Sequence, residues 1–385
     1  MQLGLLGAGL QGQACVFDWL RQSDVRGIRV LDASEEQLAL FRERFVDERL
    51  SFRRVDAGDH EKLRESIAGC DALLSAVPYF LNLAVTRAAI EARVPMVDLG
   101  GNTDVVFQQR ALDPEARAAG VGIIPDQGLA PGLAGILGLY GMRDFTDVAS
   151  IRMYVGGLPQ QPRGPLSYAL VFSVHGLLNE YAGEAVGLQD GEIVRAETLT
   201  GLETIRFPHP VGRCEAAYTS GGTSTLPWTC RGRVRELFYK TVRYPGHWSC
   251  VRFLKELGFL ETQPRAVGRQ KVAPRDFLGA LLEPQLTFEN TRDLVVLRVR
   301  VRGTMDGRPA LRQYEMIDFH NEAEGLTAMM RTTAFPASEA ALRLARGQVR
   351  QAGVLAGESV LADRAYFDSL RGRGLRMREM ESFER

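Results

Sequence analysis

The chain has 385 residues, room for two domains with sizeable cores, and its Lys plus Arg and Asp plus Glu both number 47, which excludes the basic surplus of a nucleic-acid binder and the acidic surplus of a solvating tail. Five scattered cysteines (15, 70, 214, 230, 250) lack CxxC or Cys–His spacing, so they read as free thiols of a reducing cytoplasm, with neither a disulfide frame nor a metal site. The longest uncharged stretch, 127–142, is broken by five glycines and a proline and is too short to cross a bilayer; with no basic leader before the first strand, a soluble cytoplasmic protein is expected.

The first predicted element is an apolar strand, Leu3 to Leu6, running into Gly7-Ala8-Gly9-Leu10-Gln11-Gly12 and then an amphipathic helix with Ala14, Phe17 and Leu20 inward. In such a turn the first glycine permits the bend, the second lets backbone approach a pyrophosphate, and the third lets helix pack on strand. The helix offers unpaired N–H groups and its positive dipole end to the phosphates. A second strand, 28–31, ends in Asp32, twenty residues after Gly12, where the acid that binds the adenosine ribose belongs. Its carboxylate would accept from both ribose hydroxyls and repel a 2′-phosphate, and Ala33 and Ser34 bring no offsetting cation, so NAD is expected over NADP.

Further strands follow at 51–55, 72–75, 95–98 and 121–124, with helices near 35–46, 60–67, 80–92 and 105–119 between them. That alternation predicts an α/β fold: an N-terminal Rossmann unit, a doubly wound parallel sheet with helices on both faces. Ligands of such sheets sit outside the carboxyl ends of the strands. Those ends carry the glycine turn, Asp32, Asp56, Ser75-Ala76-Val77-Pro78, Asp98 to Asn102, and Asp126-Gln127-Gly128. Gly7, Gly9, Leu10, Gln11, Gly12, Asp32, Asp56, Ser75, Ala76, Val77, Pro78 and Gly128 are accordingly the predicted cofactor contacts.

Past Pro131 the texture changes to strands at 148–155, 166–172, 186–188, 236–244 and 294–302, the last meeting 310–319 across the hairpin signal Asp306-Gly307. The prediction is a mainly antiparallel α+β substrate domain over 131–330. The first domain, 1–130, is completed by a tail of about 331–385 that returns to helix at 337–352 and 363–371.

Three segments suggest chemistry. Asp126 to Gly132 holds Pro131 near the first turn of a helix, whose free N–H groups would face the nicotinamide or a substrate anion; the alternative is a crossover loop shaped by Gly and Pro. Thr219 to Trp228, with Thr223 and Thr225, lacks a P-loop lysine and would form either a carboxylate-holding nest or a plain turn. In Tyr239 to His247, strand alternation puts Tyr239, Thr241 and Arg243 on one face and Lys240, Val242 and Tyr244 on the other. His247 starts a helix, where imidazolium is disfavoured; it is either a base or a cap. No cluster has metal-ligand spacing.

These segments resemble the saccharopine dehydrogenase-like oxidoreductases, most closely the L-lysine 6-dehydrogenases. The likeness rests on Gly7 to Gly12, Val97 to Thr103, Pro125 to Gly132, Ser220 to Thr229 and Tyr239 to His247, with Arg331 to Pro336 similar to the return crossover. Gln127 and Gly135 depart from the pattern, where a small residue and an asparagine are usual. The resemblance implies oxidation of the ε-amino group of L-lysine by NAD, with ammonia released and 2-aminoadipate 6-semialdehyde cyclising to a piperideine carboxylate. Lysine's amine, with a pKa of about 10.4, must lose a proton first, and His247 is the expected base with Tyr239 and Thr241 positioning amine or water. Arg243 is expected to hold the α-carboxylate, with Asp98 or Asp126 accepting from the α-ammonium. A saccharopine reductase would gather more arginines; a carboxynorspermidine synthase would use NADPH, against which Asp32 argues. A non-catalytic dinucleotide-binding sensor would have shed the second-domain site. A homodimer or higher homo-oligomer is the default expectation, with no nucleic-acid or membrane partner.

Overall fold

A computed structural model describes residues 1–383. The chain forms two compact units, Met1–Tyr140 with Ser224–Thr229 and Met330–Leu375, and Gly141–Thr223 with Cys230–Met329 and the segment from Arg376 on.

The first unit is a seven-stranded, all-parallel sheet in the order Gly353–Val354, Gly122–Ile124, Met96–Asp98, Ala72–Ser75, Gln2–Leu6, Gly27–Asp32, Leu50–Arg54. The order reverses beside Gln2–Leu6, so the glycine turn leaves the sheet at its switch point, where doubly wound folds bind ligands. Leu3, Leu5, Val30, Leu31, Leu73 and Leu74 are fully buried, as strands covered on both faces require. The predicted helix 105–119 is two helices, Thr103–Arg110 and Asp113–Ala119. Asn102 caps the first through the amides of Asp104 and Val105, and Pro114 sits in the first turn of the second.

The second unit is built on a nine-stranded mixed sheet: Glu203–Arg206, Arg213–Tyr218, Val234–Arg243, Asp147–Pro159, Asp293–Met305, Arg308–Phe319 and Arg378–Phe383, with the hairpin Glu184–Gln189 and Glu192–Glu197 beside Val234–Arg243. Every pair is antiparallel except Val234–Arg243 with Asp147–Pro159. Both hairpin turns use left-handed pairs, Asp190-Gly191 (φ 51 and 80) and Asp306-Gly307 (φ 51 and 71). The expected strand 166–172 is absent. Gly164 and Ser167 have positive φ (71 and 48), and Leu166 and Tyr168 are buried against the helix Val174–Tyr181 and Trp248, so the apolar alternation there serves side-chain packing and not a ladder. The tail helix runs over Ala328–Ala345 through Pro336, earlier than 337–352. No helix of the described residues is long and apolar enough to cross a membrane.

Candidate functional site

The glycine turn divides its labour as the motif requires. A Cβ on Gly7 (φ +105) would lie 2.7 Å from the Ala76 carbonyl, and one on Gly12 would lie 2.0 Å from the Gly7 carbonyl. A Cβ on Gly9 would meet nothing within 4 Å. Gly7 and Gly12 are therefore held by packing, while Gly9 faces open space at the start of the helix Leu10–Leu20, whose first N–H groups no side chain caps. These residues fit a dinucleotide pyrophosphate. Leu10 is exposed, and Gln11 has a buried Oε1 without a partner among the described residues.

Asp32 accepts from Ala8 N through Oδ2 (2.7 Å) and from Ser34 N through Oδ1 (2.8 Å), which aims the carboxylate back at the glycine turn. A cation that sequence reading missed stands beside it. Arg54, its register partner on the next strand, donates Nε to the Ala33 carbonyl at 2.9 Å. Asp56 accepts from Gly58 N in a local turn. Ser75 donates to Asn82, leaving the half-buried Ala76 and Val77 and the exposed Pro78 as the accessible part of that strand end.

Two acids occupy the next strand ends, with unequal roles. Asp98 is fully buried, accepting from Gln109 Nε2 (2.8 Å) and from Asp126 N (3.1 Å). Both its oxygens are engaged in shaping the loop, which removes it as an acceptor for a substrate ammonium. Burial pushes its carboxyl up to about 6 against those bonds. Asp126, in the left-handed region (φ 59), accepts from Gly101 N at 3.0 Å, and its Oδ2 is buried without a partner among the described residues. Burial and the neighbouring Asp98 charge push it up to about 7. Gly100 is required here: a Cβ would collide with the Asp126 carboxylate.

The loop after Asp126 takes up the first N–H groups of the helix that follows it. Gly128 N bonds the Pro131 carbonyl (2.9 Å), and Leu133 N and Ala134 N bond the carbonyls of Gly128 (2.9 Å) and Leu129 (3.0 Å). This is the crossover loop that Gly and Pro shape. The Thr219 to Trp228 segment is likewise a linkage and not a nest. Thr223 donates to the Val186 carbonyl at 3.1 Å in the second unit. Within the first unit, Thr225 (2.8 Å) and Thr229 (2.6 Å) donate to the buried Glu358, and Trp228 stacks edge-on against Phe107. Neither predicted threonine keeps a hydroxyl for a substrate.

In the second unit the strand Val234–Arg243 alternates as its pleat demands. Lys240 turns to one face, bonding Glu203 Oε1 (2.5 Å) and the Gly201 carbonyl (2.6 Å) beside a cavity of about 210 Å³ lined by Arg152, Tyr154 and Tyr218. On the other face Thr219 and Thr241 share a hydroxyl bond of 2.6 Å, and Thr241 reaches the Tyr239 hydroxyl at 3.3 Å. Arg243, 1% exposed, pairs with Glu180 at 3.1 Å, donates to the Val242 carbonyl at 3.0 Å and stacks on Tyr168 with 4.8 Å to the ring centroid. Burial opposes its charge, but Tyr181, Tyr168 and Glu180 outweigh that and push its pKa up, so the guanidinium stays charged.

His247 lies behind this cluster. Nδ1 meets the Leu166 carbonyl at 3.0 Å, which fixes the N–H there, and Nε2 meets the Tyr181 hydroxyl at 2.8 Å. Burial first, then Arg243, pushes the ring down to about 3. With both nitrogens engaged, the imidazole is no free base: it orients Tyr181, whose hydroxyl lies in the field of the Arg243 charge. Sequence reading missed Tyr168, Glu180 and Tyr181. The one hint was a glutamate set beside the apolar Leu177, Leu178 and Tyr181 of a single helix.

Residues 3–124 match the saccharopine dehydrogenase NADP binding domain, and residues 128–375 match the saccharopine dehydrogenase C-terminal domain. The chain belongs to the saccharopine dehydrogenase family. It is 24% identical over 268 residues to the NADP-dependent, L-glutamate-forming saccharopine dehydrogenase of Pyricularia oryzae, covering 62% of this chain and 57% of that protein. The chain thus spans a little over half the length of that fungal relative and of its Saccharomyces cerevisiae counterpart. It is also 24% identical over 346 residues to the carboxynorspermidine synthase of Vibrio cholerae, covering 82% of this chain and 79% of that one. Its fold matches that of apo saccharopine dehydrogenase (L-Glu forming) from Saccharomyces cerevisiae, with a TM-score of 0.81, 20% identity and 99% of each chain covered.

Proposed function

We propose that the protein oxidises the ε-amino group of L-lysine, with NAD as the bound acceptor of a hydride. The observation that carries this is Arg243: a buried, permanently charged guanidinium in the family's C-terminal domain whose Nε has no partner among the described residues. A bare buried donor of this kind suits a carboxylate. Arg243 is also the cation that acts on Glu180, Tyr181, Tyr239 and His247, which suits it to hold a substrate carboxylate in their midst.

The chemistry balances simply. The ε-ammonium gives up a proton to solvent, a hydride leaves Cε for the dinucleotide acceptor and an iminium forms; water then adds to the iminium carbon, its proton passes to nitrogen, and ammonia leaves with the C–N electron pair as a second proton goes to solvent, giving the aldehyde. The Thr219–Thr241–Tyr239 hydroxyl chain supplies donors and acceptors that orient the amine and the water. Burial pushes the Tyr239 phenol up, so it stays protonated and acts as a hydrogen-bond group. Asp32 supports NAD by setting a carboxylate at the ribose position. Arg54 beside it is the feature that would favour a 2′-phosphate, so the choice of dinucleotide rests on the balance of these two.

The test is reduction of NAD and, separately, NADP by purified protein given L-lysine, saccharopine, ornithine or a diamine. Lysine-dependent NADH formation supports the reading. A signal with saccharopine alone, or with NADP alone, overturns it.

A further inference from the structure

Around Arg243, internal bonding leaves over two donors and one acceptor among the described residues. Arg243 Nε and the Tyr168 hydroxyl are both buried without a partner among the described residues, and they belong to stacked side chains. A buried donor left bare loses its hydrogen bonds to water without replacement, so two on stacked side chains call for a missing acceptor. The acceptor side is Glu180. Its Oε2 takes Arg243 Nη2 at 3.1 Å, its Oε1 takes no bond from any described residue, and the side chain is 27% exposed. The guanidinium is thus bare on one edge and capped by a half-open carboxylate on another. Tyr181, held by His247, completes its setting.

We infer that Arg243, Tyr168 and Glu180 form a clamp for the headgroup of an α-amino acid, its carboxylate on Arg243 Nε and the Tyr168 hydroxyl and its ammonium on Glu180 Oε1. A zwitterion placed so alternates in sign with the Arg243–Glu180 pair, and each leftover group gains a partner of opposite character. The proposal rests on the amine-oxidation reading for its substrate class, but it assigns the ammonium to Glu180 in place of Asp98 or Asp126.

Two truncated substrates separate the halves: 6-aminohexanoate lacks the α-ammonium, and 1,5-diaminopentane lacks the carboxylate. The wild type should prefer L-lysine in kcat/KM by about tenfold or more over each, the equivalent of one charge-assisted hydrogen bond. Glu180→Gln should collapse the preference over 6-aminohexanoate. Tyr168→Phe, which removes one oxygen and no charge and so keeps the test open if Glu180→Gln fails to fold, should lower the preference over 1,5-diaminopentane. Wild-type ratios in both variants would overturn the clamp. Calorimetry of L-lysine, L-glutamate and saccharopine on the protein with NADH separates this from the parent reading. If they bind, and Tyr168→Phe weakens the binding while lysine gives no turnover, the clamp stands and lysine oxidation falls. If none of the three binds, the clamp falls.

Discussion

The Tyr181 hydroxyl donates to His247 Nε2 at 2.8 Å, so the ring nitrogen that would take a proton from a substrate already holds one from the protein. With Nδ1–H on the Leu166 carbonyl, the imidazole is locked neutral. Its folded pKa of about 3 lies below the unfolded value of about 6.5, so between those pH values the unfolded chain binds the extra proton. Stability from this site is therefore full above pH ~6.5 and is lost as pH falls toward 3. Denaturant titrations should show that loss in the wild type, and His247→Gln should flatten it. Tyr181→Phe should cost about 1–3 kcal/mol at pH 7 by leaving Nε2 bare. A kcat/KM profile with a break near pH 6.5 that vanishes in His247→Gln would restore the histidine as base.

The Asp98–Asp126 pair has the opposite sign. Folded pKa values of about 6 and about 7 exceed the unfolded value of about 3.9, so the folded state keeps protons that the unfolded chain has lost. Stability should fall as pH rises from about 4 to 7. Asp126→Asn keeps an acceptor for Gly101 N and removes the repelled charge, so it should raise stability at pH 8 by about 1–3 kcal/mol, with the gain shrinking at pH 5. Asp98→Asn should destabilise instead, because its amide offers one acceptor where two donors, Gln109 and Asp126 N, must be met. Thermal unfolding at the two pH values checks both.

Gly9 and Gly12 should part company on substitution. Gly9→Ala places its Cβ in open space at a φ of −71 that alanine adopts readily, so the fold should stand while dinucleotide affinity drops. Gly12→Ala drives its Cβ into the Gly7 carbonyl and should lower the melting temperature itself. Melting curves with and without NAD distinguish the two.

Asp32 and Arg54 set the dinucleotide preference between them. Asp32→Ser should move the Kd ratio toward NADP by about tenfold or more, with Arg54 then available to a 2′-phosphate. Adding Arg54→Ala should cancel the gain. A ratio unmoved by Asp32→Ser would mean the ribose is bound elsewhere.

Where chemistry is local, the chain spells it out. Gly7, Gly9 and Gly12, the strand ending in Asp32, the Asp190-Gly191 and Asp306-Gly307 turns and the two faces of Val234–Arg243 all follow from neighbours within a few residues. Elements that depend on distant partners were hidden. Gly353–Val354 is a two-residue strand that exists because Gly122 and Ile123 accept it, and Arg378–Phe383 is a largely exposed edge strand with little apolar pattern. Glu358, the acceptor that engages Thr225, lies 133 residues away, and Arg54 meets Asp32 only through sheet register. His247 shows the limit most plainly: its helix start was legible, but the Tyr181 and Leu166 contacts that remove it as a base come from 66 and 81 residues upstream.

The most direct measurement is the fate of nitrogen when the purified protein and NAD are given L-lysine labelled with ¹⁵N at the ε position. One labelled ammonium released per NADH formed, with the cyclic imine of the semialdehyde accumulating in step, is the predicted result. NADH formed without labelled ammonium, or no NADH from lysine while saccharopine yields it, would contradict oxidation at the ε-amine.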